Sequence, residues 1–232
     1  GMSYISRQPR RARISNIDYL ARYEYIGLRH LVTQGCIFDR QLLYDKFPNQ
    51  LLPFDFDTYF QHAEGFEMVT TNCLTGHAMY LSETHDKQRA LDIVRASSSL
   101  PYVSKIVNVD GIPMLDGGIA DSIPVQHAID MGYEHNVVIL TRNKGWRDHG
   151  KDRKIPYLYK NYPRLRVALS HRHKVYNEQI QLVDDLEAAG KITCIRPLRP
   201  LEVGRIEKDT VKLERLYEEG FTLGEAFCKE FI

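Results

Sequence analysis

The sequence predicts an α/β fold with a largely parallel sheet, and two observations carry that expectation. Strand-like and helix-like segments alternate after residue 60, the pattern that βα units produce. The segment 135–141, "HNVVILT", is a continuous apolar run of the kind found in central parallel strands. No internal repeat or low-complexity linker interrupts the 232 residues, and a single domain over residues 1–232 is expected.

Near the start, Asn16 or Asp18 is placed to cap a helix running toward Gly35, with Ile17, Leu20 and Tyr23 or Tyr25 at near-helical spacing. Residues 45–60, "DKFPNQLLPFDFDTYF", carry two prolines and read as a loop with a short helix. Between Phe66 and Ser82, two strand-like runs flank a turn ending at Gly76, which argues for a hairpin or a strand with a return. Asp86 opens a helical stretch that must stop before Pro101. Residues 102–115, "YVSKIVNVDGIPML", read as a second hairpin with Asp110-Gly111 as its two-residue turn.

Pro124 suits the first position of a helix that Gly132 is placed to end. Beyond the apolar run, residues 171–190 read as a helix with Gly190 as its C-cap. "ITCIRP" (192–197) reads as a short strand, and a last helix runs from about Asp209.

With 43% hydrophobic and 26% charged residues, the chain can bury a sizeable core and is not of disordered composition. A formal net charge of +1 gives no global case for nucleic acid. The basic opening (Arg7, Arg10, Arg11, Arg13) has no interleaved aromatic stacking partners and reads as solvated charge. Cys36, Cys73, Cys194 and Cys228 are far apart and form no CxxC pair, so a reduced, cytoplasmic protein is expected. No apolar run approaches the roughly 20 residues that span a bilayer. The opening residues have no apolar h-region of a signal peptide.

Several polar clusters have blander explanations than chemistry. His171 and His173, beside Arg172 and Lys174, would point to different sides of a helix and read as a solvated helix start. Asp55 and Asp57 sit among prolines in a loop rather than after a buried strand. His77 reads as a turn residue of the first hairpin. Arg142 follows the apolar strand and sits where an anion or a neighbouring acid would meet it.

The segment that stands apart is "LDGGIADSIPV", residues 115–125. Asp116 follows an apolar strand, and Gly117 and Gly118 come straight after it. Two readings are open. Asp-Gly-Gly makes a tight turn and nothing more. Alternatively, the carboxylate is a base held at a strand end, where it takes a proton from a serine hydroxyl within hydrogen-bond reach. On either reading, the glycines allow positive φ or a close backbone approach.

The wider stretch 95–125, "RASSSLPYVSKIVNVDGIPMLDGGIADSIPV", resembles the patatin-like phospholipase family. A segment like Ala96–Pro101, a hairpin, Asp-Gly-Gly and Ser122-Ile123-Pro124-Val125 follow in that family's order, with Asp121 at its usual acidic position. "SYISRQ", "YIGLRHLVTQG", "PFDFDTYF" and "VVILTRNKGWRD" are similar to segments of its bacterial branch, so the resemblance covers nearly the whole chain. It implies a three-layer sandwich around a mostly parallel sheet and an acyl hydrolase acting on lipid or other carboxylic esters through a Ser–Asp dyad. Asp116 would be the base, with Gly117 and Gly118 shaping its turn. The dyad needs no metal or other cofactor. The expected partners are the lipid or ester substrate, with peripheral membrane contact and a homodimer allowed and no nucleic acid.

The family's nucleophile sits in a Gly-x-Ser-x-Gly elbow. No such motif occurs here, and the nearest spacing, Gly220 to Gly224, lies in a helical pattern without a serine. The expectation is therefore an N-terminal truncation that removes the elbow and its strand, leaving a chain inactive as it stands. The alternative is a non-catalytic interaction module that keeps the fold.

Overall fold

The computed structural model describes residues 1–150, 157–204 and 206–231. Two compact units emerge, Gly1–Ser122 with Asp152–Arg172, and Ile123–Lys151 with His173–Ile232.

The first unit opens with short helices, α1 (Met2–Ile5), α2 (Arg11–Arg13), α3 (Tyr19–Tyr23) and α4 (Leu28–Gln34), with a π-helical turn at Ile14–Asp18. The expected single helix toward Gly35 is thus broken. Asn16 lies inside the π turn rather than at a cap, and Glu24 at φ 44° takes a left-handed conformation that ends α3. The segment expected to be a loop instead forms a π-helical stretch, Leu42–Leu51, with Pro48 inside it, followed by α5 (Phe56–His62).

The sheet of this unit has four strands: β1 (Met68–Asn72), β2 (Ala78–Leu81), β3 (Val107–Val109) and β4 (Ile112–Asp116), in the order β2-β1-β4-β3. Every pairing in it is antiparallel, against the expectation of a largely parallel sheet. The connections explain the difference. β1 and β2 are joined by the turn at Leu74–Gly76, and β3 and β4 by Asp110-Gly111, too short for the crossover that parallel strands need. Asp110 (φ 53°) and Gly111 (φ 81°) are both left-handed, as a primed hairpin turn requires. Both hairpins follow the sequence reading.

Successive residues of β4 face opposite sides of this sheet. Met114 packs with Met68, Ile93, Ala96, Val107 and Val109, against α6 (Lys87–Ser97). Leu115 packs with Cys73, Ile119, Tyr159 and Leu165 on the other face. Asp86 caps α6 by accepting the Arg89 N–H at 3.0 Å, as its position in the sequence suggested.

The second unit holds α7 (Val125–Asp130), β5 (Asn136–Ile139), β6 (Ile192–Ile195) and α9 (Thr210–Phe231), while α8 (Pro163–Ala188) begins in the first unit and ends in the second. Here β5 and β6 do pair in parallel, from Asn136↔Ile192 to Ile139↔Ile195. The apolar run 135–141 is nevertheless not a central strand. Val137 is 51% and Ile139 75% exposed, so only one face of β5 meets the core of Ile123, Val125, Leu140, Ile180, Val183 and Ile192. Asp209 caps α9 by accepting the Val211 N–H at 3.0 Å. Among the described residues, no helix is long and apolar enough to cross a membrane.

Candidate active site

Asp116 is the last residue of β4, and its backbone is pinned from three sides. Its N–H donates to the Ser99 carbonyl at 3.0 Å, and its own carbonyl accepts the Thr71 hydroxyl at 2.8 Å. Across the ladder it faces Thr70 of β1. Thr70 and Thr71 are both fully buried, so the strand end that presents the carboxylate is rigidly framed.

The carboxylate turns back on its own chain. Its Oδ1 accepts the Gly118 N–H at 2.7 Å, capping a 3-10 turn over Gly117–Ile119. Asp116 is half-buried.

The two glycines answer to different demands, and neither uses positive φ. A Cβ on Gly117 would lie 2.3 Å from the Val69 carbonyl oxygen of β1, so only glycine lets this turn press against the neighbouring strand. A Cβ on Gly118 would come 3.0 Å from Asp116 Oδ1. The double glycine thus packs the turn onto the sheet and lets an amide reach the carboxylate.

Around this turn, Gly118 offers a carbonyl that accepts the Ser122 hydroxyl at 2.8 Å and the Arg172 Nε–H at 2.7 Å. The Gly117 carbonyl takes the Asp121 N–H at 2.9 Å, and the Asp121 carboxylate accepts the Tyr80 hydroxyl at 2.6 Å. Arg172, read from the sequence as part of a solvated basic cluster, is instead a buttress of the Asp-Gly-Gly turn. Nothing in its neighbourhood along the chain announces this, because the contact spans 54 residues.

Two hydroxyls of the triple-serine segment are committed to helix carbonyls. Ser99 Oγ donates to the Arg95 carbonyl at 2.7 Å and Ser98 Oγ to the Val94 carbonyl at 2.7 Å, both closing the end of α6. The triple-serine segment therefore serves Asp116 through the Ser99 backbone.

The remaining polar candidates are structural. Asp55 caps α5, accepting the Thr58 N–H and hydroxyl at 2.9 and 2.7 Å. His171 Nδ1 lies 3.0 Å from the Val167 carbonyl one helical turn back. His77 donates its N–H to Thr75 within the β1–β2 turn. The Arg142 guanidinium lies over the Trp146 ring at 4.8 Å. Arg13 of the basic opening pairs with Asp18 at 3.1 Å, and Arg11 reaches the Leu52 and Pro53 carbonyls. No cluster of three or more metal-ligating side chains occurs among the described residues.

A family model described as patatin-like phospholipase matches residues 2–129, more than half of the chain and all of the Asp116 turn. The chain belongs to the patatin-like phospholipase family. A second model, a domain of unknown function (DUF6363), matches residues 162–232. The chain is also 33% identical, over 143 residues, to the uncharacterized protein YjjU of Escherichia coli strain K12. That alignment covers 60% of this chain and 39% of the relative, so the chain spans well under half of that relative's length. Family membership places the protein in an α/β group of lipid acyl hydrolase type. Of the residues singled out from the sequence, Asp116, Gly117 and Gly118 all fall inside the matched region.

Proposed function

We propose that Asp116 is the general base of a Ser–Asp dyad in an acyl hydrolase that cleaves lipid or other carboxylic esters. The observation that supports this most is the setting of its carboxylate. It is half-buried at a strand end and accepts a short bond from the Gly118 amide, in a turn that Gly117 locks against β1. An aspartate so fixed is pre-organised to receive a proton from a hydroxyl brought within about 3 Å.

The hydroxyl does not come from an elbow within these 232 residues, because no Gly-x-Ser-x-Gly occurs in them. The chain alone therefore has no serine-dependent turnover, since acyl transfer lacks both its nucleophile and the oxyanion donors that accompany it. No metal or other cofactor enters the reaction, because aspartate and serine supply the base and the nucleophile. The protein is an intracellular one working on ester substrates, reached in solution or by peripheral contact with a membrane.

The experiment compares two polypeptides on a p-nitrophenyl ester and a fluorophosphonate probe. One is the 232-residue chain; the other is the same gene expressed with whatever in-frame coding sequence lies upstream of Met2. Turnover and serine labelling confined to the second, with turnover lost on Asp116→Asn, support the reading. Turnover by the 232 residues alone, or none by either polypeptide, overturns it.

A further inference from the structure

We propose that Arg40 and Arg95 form a binding site for a phosphate group in a small hollow of the first unit, lined also by Gln34, Gln41, Tyr44 and Asp45. The hollow measures about 280 Å³, enough for a phosphate and its near substituents and below the usual range for a drug-sized ligand.

The two guanidiniums are the reason for the assignment. Among the described residues, that of Arg40 has no hydrogen bond or ion pair; only its backbone N–H is engaged, by Gln34 Oε1 at 2.9 Å. Arg95 spends one nitrogen on Asp92 at 3.0 Å, while its Nε is buried with no partner. Its guanidinium lies over the Tyr44 ring, 5.2 Å from the centroid, which fixes the fork's plane.

The acids and amides nearby are already occupied. Asp45 Oδ1 accepts from Asn49 at 3.0 Å, and Gln34 Nε2 donates to Asp39 at 3.0 Å. Burial pushes the Tyr44 phenol above its ordinary value, despite its bond to Ser98 and the pull of both guanidiniums, so it stays a neutral hydroxyl. The lining itself presents two cations and one carboxylate; Asp92 takes one nitrogen of Arg95, and among the described residues the Arg40 fork has no acid bonded to it. Arginine forks match phosphate oxygens in geometry and charge. A phosphate ester free in solution and a lipid headgroup share this chemistry.

Calorimetric titration with inorganic phosphate, and sedimentation with vesicles of phosphatidylcholine and phosphatidic acid, test the site on the 232-residue chain. Arg40→Gln is the main variant, since it removes a guanidinium that supports no other residue. Arg95→Gln is the second, with thermal unfolding as the check that it folds. Each loss should weaken phosphate binding roughly tenfold to a hundredfold, the worth of one charge-assisted bond. Arg199→Gln, in the other unit, should leave binding unchanged, as should Asp116→Asn, so the site stands or falls apart from the dyad.

Vesicle binding that free phosphate displaces and Arg40→Gln abolishes identifies a headgroup as the source. Phosphate binding without vesicle binding identifies a soluble phosphate ester. No phosphate binding by the parent chain, or equal binding by Arg40→Gln, overturns the proposal.

Discussion

Gly117 lies so close to Val69 that a single added methyl would sit 2.3 Å from the Val69 carbonyl oxygen. The neighbour is backbone of β1, where Val69 pairs with Tyr80 of β2, so it cannot yield by a rotamer change. Gly117→Ala should therefore destabilise the protein by about 3 kcal/mol, at the upper end of overpacking costs. Gly118→Ala, whose methyl meets a side-chain atom, Asp116 Oδ1, at the longer distance of 3.0 Å, should cost about 1 kcal/mol. Urea midpoints of the two variants check the order; equal losses would show that the β1 contact does not set the first requirement.

Arg172 and Ser122 share one acceptor, the Gly118 carbonyl. Removing the guanidinium by Arg172→Met should lower stability by about 1–3 kcal/mol, as expected for a hydrogen bond to a charged group. Ser122→Ala should cost about 1 kcal/mol. The double variant should lose more than the sum, because the carbonyl then keeps neither partner. Strict additivity in denaturation would argue against a shared role.

Glu83 carries a pH-dependent share of stability. Burial pushes its carboxyl up, but the Asp86 and His85 N–H groups and the Arg89 guanidinium outweigh this and hold it at about 2, below its ordinary 4.5. A folded value below the unfolded one means the contribution is whole above about 4.5 and is lost as pH falls toward about 2. Glu83→Gln should flatten the fall of the urea midpoint across that window. The Asp110 carboxyl, lowered mainly by the same Arg89, keeps some slope in the variant. An unchanged slope would remove Glu83 from the account.

Thiol chemistry should separate the cysteines. Cys228 is exposed, whereas Cys36 and Cys73 are buried and burial pushes the Cys73 thiol to about 12. In the native protein at pH 8, a chromogenic disulfide reagent should modify Cys228 first and reach Cys36 and Cys73 only with denaturant. Rapid native labelling of Cys73 would contradict the packing of Leu115 and Tyr159 around it.

Features that a few neighbouring residues determine could be read from the sequence. The Asp110-Gly111 turn needs two left-handed residues, and that pair supplies them most readily. Asp86 and Asp209 cap their helices through bonds reaching two or three residues ahead. Features decided at long range could not be read. An apolar run such as 136–139 looks the same in a central strand as in a two-stranded sheet with one bare face. The site divides along the same line. Asp116 and its glycines were visible as a local oddity at a strand end. The Val69 contact that fixes Gly117 crosses 48 positions by residue number, and the Arg172 bond crosses 54, so no local signal marks either. Of the two freedoms the sequence reading allowed these glycines, positive φ and a close backbone approach, the turn uses only the second.

The central claim is that the Asp116 carboxylate takes the proton. Asp116→Asn tests it most directly, because the amide oxygen can still accept the Gly118 N–H and keep the turn. In the polypeptide that hydrolyses a p-nitrophenyl ester, this variant should retain its unfolding temperature and lose about four orders of magnitude in turnover. Turnover within about threefold of the parent, a difference well under 1 kcal/mol, would show that the base lies elsewhere.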